Sequence, residues 1–170
     1  SKKVCVNTGC GVVQTFSDEN GIQMERIIRI NSSITLFNAF SGVEICNDNT
    51  YVDWSDKPAL APNGEYVAAR KMDVDDYEYG SYEPSDTVTI WQIQNDSIFE
   101  ILGIPGDSYC FSNDGKTFAV EYQDSMKMFT TKTWKCERTL ASTGPILGFS
   151  PDDSKLWIYG GKSYYTDTDT

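Results

Sequence analysis

"FSNDGKTFAV", Phe111 to Val120, joins an aromatic and a serine to a turn tripeptide and then to alternating apolar residues. Asp and Asn tolerate left-handed backbone and bond their own main chain, and Gly permits positive φ. The stretch therefore reads as a hairpin. Three others share its shape: "TFSDENGIQM" from Thr15, "ALAPNGEYVA" from Ala59 and "GFSPDDSKLW" from Gly148. Aligned on Phe16, Leu60, Phe111 and Phe149, they are spaced by 44, 51 and 38 residues. A hairpin signal recurring at such a period makes the chain a repeat protein.

A second motif keeps phase with the first. "ITLFNA" (Ile34 to Ala39), "VTIWQI" (Val88 to Ile93) and "MKMFTT" (Met126 to Thr131) alternate and place an aromatic fourth, with a weaker copy in "KSYYTD" from Lys162. The recurring aromatics Phe37, Trp91, Phe129 and Tyr165 read as core residues, and Trp54 and Trp134 as packing. After the first three copies come a polar turn and a further strand, in "GVEIC", "SIFEILGI" and "WKCERTL". Alternation with β-branched and aromatic residues favours strands over helices, even in "ENGIQMERIIRI". Four strands per repeat predict an all-β chain, a β-propeller of four blades with four antiparallel strands each.

The stretch "TKTWKCERTLASTGPILGFSPDDSKLWIYGG" resembles a WD40 repeat, and "DTVTIWQI" resembles that family's third strand. The resemblance covers nearly the whole chain and is clearest over residues 85–161. The family's Trp-Asp pair is absent, since Asn38, Gln92, Thr130 and Thr166 follow the four aromatics, and its Gly-His pair is absent with histidine. The resemblance implies a propeller that displays loops to protein partners.

With strands lettered a to d outward from the axis, the chain reads d, abcd, abcd, abcd, abc. Lys2 to Asn7 is then an outer strand expected to complete the last blade, as the resemblance implies, which would remove open edges. Either the four blades close into a ring this way, or they are a piece of a larger propeller completed by further chain or a second copy. The second reading is preferred, because the resemblance implies rings of more than four blades.

Composition limits function. The 170 residues carry a formal net charge of −11 and no histidine. That charge opposes direct nucleic-acid binding and attachment to anionic membranes. Lack of histidine removes Ser-His-Asp and Cys-His catalysis and the usual general base. No apolar run approaches the roughly 20 residues of a membrane helix, and Ser1-Lys2-Lys3 lacks a signal peptide's apolar core. Lacking an initiator Met, the start reads as that of a processed or excised chain. Cys5, Cys10, Cys46, Cys110 and Cys136 show no zinc spacing and read as free thiols in a reducing, cytoplasmic setting.

The long interval of 51 comes from an insertion between strands b and c of the second repeat, "KMDVDDYEYGSYEPSD" from Lys71. From Asp73 to Asp86 it has six carboxylates (Asp73, Asp75, Asp76, Glu78, Glu83, Asp86), three tyrosines (Tyr77, Tyr79, Tyr82) and no Lys or Arg. One reading is a solvated loop, since insertions cost little stability. The functional reading is an acidic, aromatic contact loop for a basic protein partner. A calcium loop is disfavoured, because Glu78 stands where an EF-hand needs Gly. Alternation of strand direction puts the insertion on one face with Asn7 to Gly11, Asn47 to Tyr51, Gly103 to Asp107 and Ala141 to Pro145.

"SPDDSKLW" from Ser150 approaches the sialidase Asp-box pattern, with Ser154 and Leu156 departing from it. That box is a structural turn, and no acid–base pair or arginine cluster accompanies it. The expected function is a non-catalytic protein-interaction scaffold, without cofactor or metal, within a larger intracellular protein or complex. The alternative is a propeller enzyme or carbohydrate binder.

Overall fold

The computed structural model describes residues 3–17, 23–38, 44–48, 57–72, 84–95, 97–142, 144–160 and 163–165. Every regular element among them is a β-strand. The second sheet contains β4 (Ala59–Leu60), β5 (Tyr66–Met72), β6 (Pro84–Gln94) and β7 (Ser97–Pro105) in that order, all antiparallel. The third repeats the plan with β8 (Ser108–Phe111), β9 (Thr117–Tyr122), β10 (Ser125–Thr130) and β11 (Lys135–Ala141). The fourth has β12 (Ile146–Phe149), β13 (Lys155–Ile158) and β14 (Ser163–Tyr165). The fold is all-β, and its four-stranded antiparallel sheets are consistent with propeller blades.

The opening module recurs down to single hydrogen bonds. The amides of Ala61, Ser112 and Ser150 donate to the carbonyls of Tyr66, Thr117 and Lys155 at 2.8–2.9 Å. Those of Gly64, Gly115 and Asp153 donate back to the carbonyls of Ala61, Ser112 and Ser150 at 2.8–3.0 Å. These last three donors hold φ of 73°, 71° and 57°. A turn that needs a left-handed residue at one position thus explains two of its glycines, and the third copy uses Asp.

Side chains alternate between the two faces of a strand, and here both faces are used. Ala68, Val88 and Ile90 of the second sheet pack on Phe118, Val120 and Phe129 of the third. The residues between them, Val67, Ala69 and Trp91, turn to Ile34 of the first sheet. In the third sheet Ala119, Met126 and Met128 turn to Leu156 and Ile158 of the fourth. Sheets thus stack face to face in chain order, which dictates runs of apolar residues in the middle strands. Each fully buried Leu, Ile or Val among these contributes about 1.5–3 kcal/mol. Outer β7 and β11 are mostly exposed or half-buried, as strands at a rim should be. Trp91 and Phe129 are buried core residues, each facing the preceding sheet. Trp134 packs edge-on against Tyr66 with ring centroids 5.2 Å apart. The side chains of Phe37 and Tyr165, and Trp54 as a whole, lie outside the described residues.

The first sheet departs from the four-strand expectation. Among the described residues it has three strands, β1 (Lys3–Ser17), β2 (Gln23–Asn38) and β3 (Glu44–Asp48). Of the expected outer strand Lys2 to Asn7, the described residues Lys3 to Asn7 run on into the strand after them and pair with Asn38 to Ile34, not with β14. The cause lies in the register. Thr8, Gly9 and Cys10 belong to the expected face loop Asn7 to Gly11, and Asn31 to Ser33 is a polar stretch. Here they lie opposite one another, with Thr8 on Ser33, Gly9 on Ser32 and Cys10 on Asn31. Two segments that each tend to break a strand satisfy one another's backbone groups when they are partners. Asn7 to Gly11 is therefore strand rather than face loop.

Candidate functional site

The insertion grows out of a described hairpin. Met72, the last residue of β5, pairs with Pro84, the first of β6, across a register shift after Arg70. Proline lacks an amide hydrogen, so its place at the very start of β6 costs no interior ladder bond. One residue before the foot, Lys71 forms an ion pair with Glu100 of β7, and its ammonium lies 5.9 Å from the Trp91 ring centroid. That ties the exit of the insertion to the rim strand and to the core aromatic together. The sequence-predicted contact residues Asp73, Asp75, Asp76, Tyr77, Glu78, Tyr79, Tyr82 and Glu83 lie outside the described residues.

The same end of the sheets carries further acid. The β7–β8 link at Gly106 and Asp107 is held by Gly106 N–H donating to Asp86 O and Asp107 N–H donating to Glu121 O, both at 2.8 Å. Glu121 sits in β9 and is only 6% exposed. Burial pushes its carboxyl pKa up, and the negative charges of Asp107 and Asp124 push it the same way. The Ser108 hydroxyl donates to Glu121 Oε2 at 3.4 Å and accepts the Ile146 amide at 2.8 Å, joining the third sheet to the fourth. With exposed Asp86, this end is acidic without the insertion. Sequence reading missed Glu121; the signal was a charged residue inside the apolar run "FAVEY".

The opposite end holds the hairpin turns and a cleft of about 490 Å³ lined by Ser112, Asp114, Glu137, Arg138, Asp152 and Asp153, among others. Two of its carboxylates, Asp114 and Asp152, are committed to structure. Asp114 accepts from the Ser112 hydroxyl and the Lys116 amide, and Lys116 Nζ lies 2.9 Å away. The Lys116 contacts hold the Asp114 pKa down at about 2. Asp152 accepts from the hydroxyls of Ser150 and Ser154, and these bonds hold it at about 2 as well. Two carboxylates pinned as anions provide no general acid. The stretch that approaches the Asp-box pattern closes its own turn. Among the described residues, no group of three or more acidic or thiol side chains is placed to hold a metal.

Cys110 and Cys136 are free. Burial raises the Cys110 pKa to about 12, so that thiol is a packing residue without nucleophilic character at neutral pH. No described helix is long and apolar enough to cross a membrane.

No family model matches the chain, and no curated protein matches it. Among solved structures, Kuenenia stuttgartiensis Hydrazine Synthase is similar at 20% identity with a TM-score of 0.49, over 73% of this chain. The match spans 34% of that structure's chain, about a third of its length.

Proposed function

We propose that the chain is a non-catalytic protein-interaction scaffold of WD40-like propeller type, part of a larger intracellular protein or complex. The observation that carries this reading is the hairpin foot at Met72 and Pro84, which roots an acidic, tyrosine-rich insertion in the antiparallel pair β5–β6. A rigid base lowers the entropy lost when a loop engages its partner. Tyrosines supply contact area and carboxylates steer a basic surface toward it. The acid at Asp86, Asp107 and Asp124 on the same end extends that field. The blade-type stack, the recurring turn and the outer-strand pattern support the family resemblance, and two free cysteines suit a reducing compartment.

For the enzyme alternative, Asp114 and Asp152 of the cleft at the other end are held ionised, so neither serves as the general acid. The test is removal of residues 73–83 with a two-residue turn joining Met72 to Pro84. Binding to an array of Lys- and Arg-rich peptides is then compared with that of the full chain. The scaffold reading expects binding by the full chain that weakens with salt and falls at least tenfold on removal. Binding of equal strength by both chains removes the insertion as the site.

A further inference from the structure

Glu121 is a charge that the repeat does not ask for. Counting six onward from the left-handed turn residues Gly64, Gly115 and Asp153 gives Arg70 in β5, Glu121 in β9 and Tyr159 just after β13. Ala119, two residues before Glu121, packs toward the fourth sheet, and so does Met126, the cross-strand partner of Glu121 in β10. Side chains two apart share a face, so the Glu121 carboxyl enters the space between the third and fourth sheets. It is 6% exposed there.

The charges around it are negative. Asp107 of the β7–β8 link and Asp124 of the turn after β9 both act on it. Lys127, the cation of β10, stands opposite Val120 and so belongs to the other face. Strands β8 and β12 carry no charged residue, and Glu100 of β7 is paired with Lys71. Among the described residues the carboxyl has one hydrogen bond, from the Ser108 hydroxyl at 3.4 Å.

Three elements are tied at this point. Asp107 N–H donates to Glu121 O at 2.8 Å, which fixes the β7–β8 link. Ile146 N–H donates to Ser108 Oγ at 2.8 Å, which fixes the start of β12. The hydroxyl that holds β12 is thus the one that meets the Glu121 carboxyl. The opposite end of the same joint is latched separately, by Asp153 on the amides of Asn113 and Asp114. A neutral carboxyl is far cheaper to bury than a carboxylate, and Asp107 and Asp124 repel only the second. Burial first, and then those charges, hold the Glu121 pKa above the ordinary 4.5. A carboxylate relieves both costs by turning out to water, away from Ser108.

We infer that Glu121 is a proton-operated pin between the third and fourth sheets. Protonated, it holds the β7–β8 link and the start of β12 together; ionised, it releases that end of the joint while the turn end stays latched. The released end carries exposed Asp86 and Asp107, so the proton sets how firmly that acidic surface is held.

Hydrogen exchange of the whole chain, read residue by residue as protection factors, tests this. From pH 4 to pH 7, protection of the Asp107 and Ile146 amides should fall about tenfold or more. Protection of the Ser112 and Ser150 amides, bonded within their own turns at the other end, should hold. E121Q cannot ionise and should remove the fall. D107N/D124N keeps Glu121 but not the repulsion and should reduce the fall at Ile146, which covers the case in which E121Q fails to fold. Constant protection at Asp107 and Ile146 in the wild-type chain overturns the inference. So does a fall that persists undiminished in folded E121Q or in D107N/D124N. A fall that Ser112 and Ser150 share equally overturns it too, because the whole fold is then losing stability rather than one end opening.

Discussion

Asp153 binds the third sheet's hairpin turn through three donors. Its carboxylate accepts the Asn113 amide at 2.7 Å, the Asn113 side-chain Nδ2 at 2.7 Å and the Asp114 amide at 2.9 Å. Asn113 Nδ2 also donates to Ser150 O at 2.7 Å. Asp153 occupies the left-handed position filled by glycine in the two preceding turns. A side chain there is strained, and the bonds across the sheet boundary offset the strain.

That balance makes a two-variant prediction. D153G removes the latch but relieves the backbone, and D153A removes the latch and keeps the strain. Each hydrogen bond is worth about 1 kcal/mol, less at this exposure. D153G should therefore lose about 1–2 kcal/mol in urea unfolding. D153A should lose roughly 1 kcal/mol more, because Ala at positive φ costs about that much. Equal loss in both would mean that the φ of Asp153 carries no strain.

The turn carboxylates predict acid sensitivity. Asp114 and Asp152 move from an ordinary 3.8 to about 2 in the folded chain. A depressed folded pKa gives stability that is present above the unfolded value and lost as pH falls through the folded one. The urea midpoint should drop between about pH 4 and pH 2. The double variant D114N/D152N should show a shallower drop over that window. A slope unchanged by both substitutions would place the acid sensitivity elsewhere.

Glu121 predicts the opposite sign. Its folded pKa lies above the ordinary 4.5, chiefly through burial. The native state then binds the proton more tightly than the unfolded state, and stability falls as pH rises from that ordinary value through the folded one. E121Q keeps a hydrogen-bonding group near the Ser108 hydroxyl and cannot ionise. The variant should gain stability over wild type on going from pH 4 to pH 7, read as a difference in urea midpoints. A constant difference across that range would mean that Glu121 titrates alike in both states.

Much of this was legible before any coordinates, and for a definite reason. Alternation of side chains is local, so "VTIWQI" and "MKMFTT" declare both strand and burial, and Asp, Asn and Gly at fixed positions declare the turns between strands. Pairing over long separations is not local. Lys3 to Asn7 has the composition of a strand and says nothing about which strand receives it. Thr8 to Cys10 looks like a turn until Asn31 to Ser33 stands opposite. The candidate site divides the same way. The insertion announces itself by composition, whereas Glu121 and the Asn113–Asp153 latch depend on which sheets are neighbours.

Gly106 closes the link between the second and third sheets, and space, not φ, requires a glycine there. A Cβ on Gly106 would stand 2.1 Å from Val120 Cγ2 and 3.2 Å from Val88 Cγ2. Val120 is 1% exposed and packed between Phe118 and the second sheet, so its methyl has nowhere to withdraw. The link cannot move away either, since Gly106 N–H is bonded to Asp86 O and the next amide to Glu121 O. G106A should cost about 1–3 kcal/mol through overpacking. V120A alone removes buried methyl groups and should also destabilise. The two changes touch the same space, so their costs should not add. The double variant G106A/V120A should be more stable than the sum of the singles predicts, by about 1 kcal/mol or more in chemical denaturation. Strict additivity would mean that the added methyl is accommodated by backbone movement, and that the second and third sheets are joined less tightly than this close approach requires.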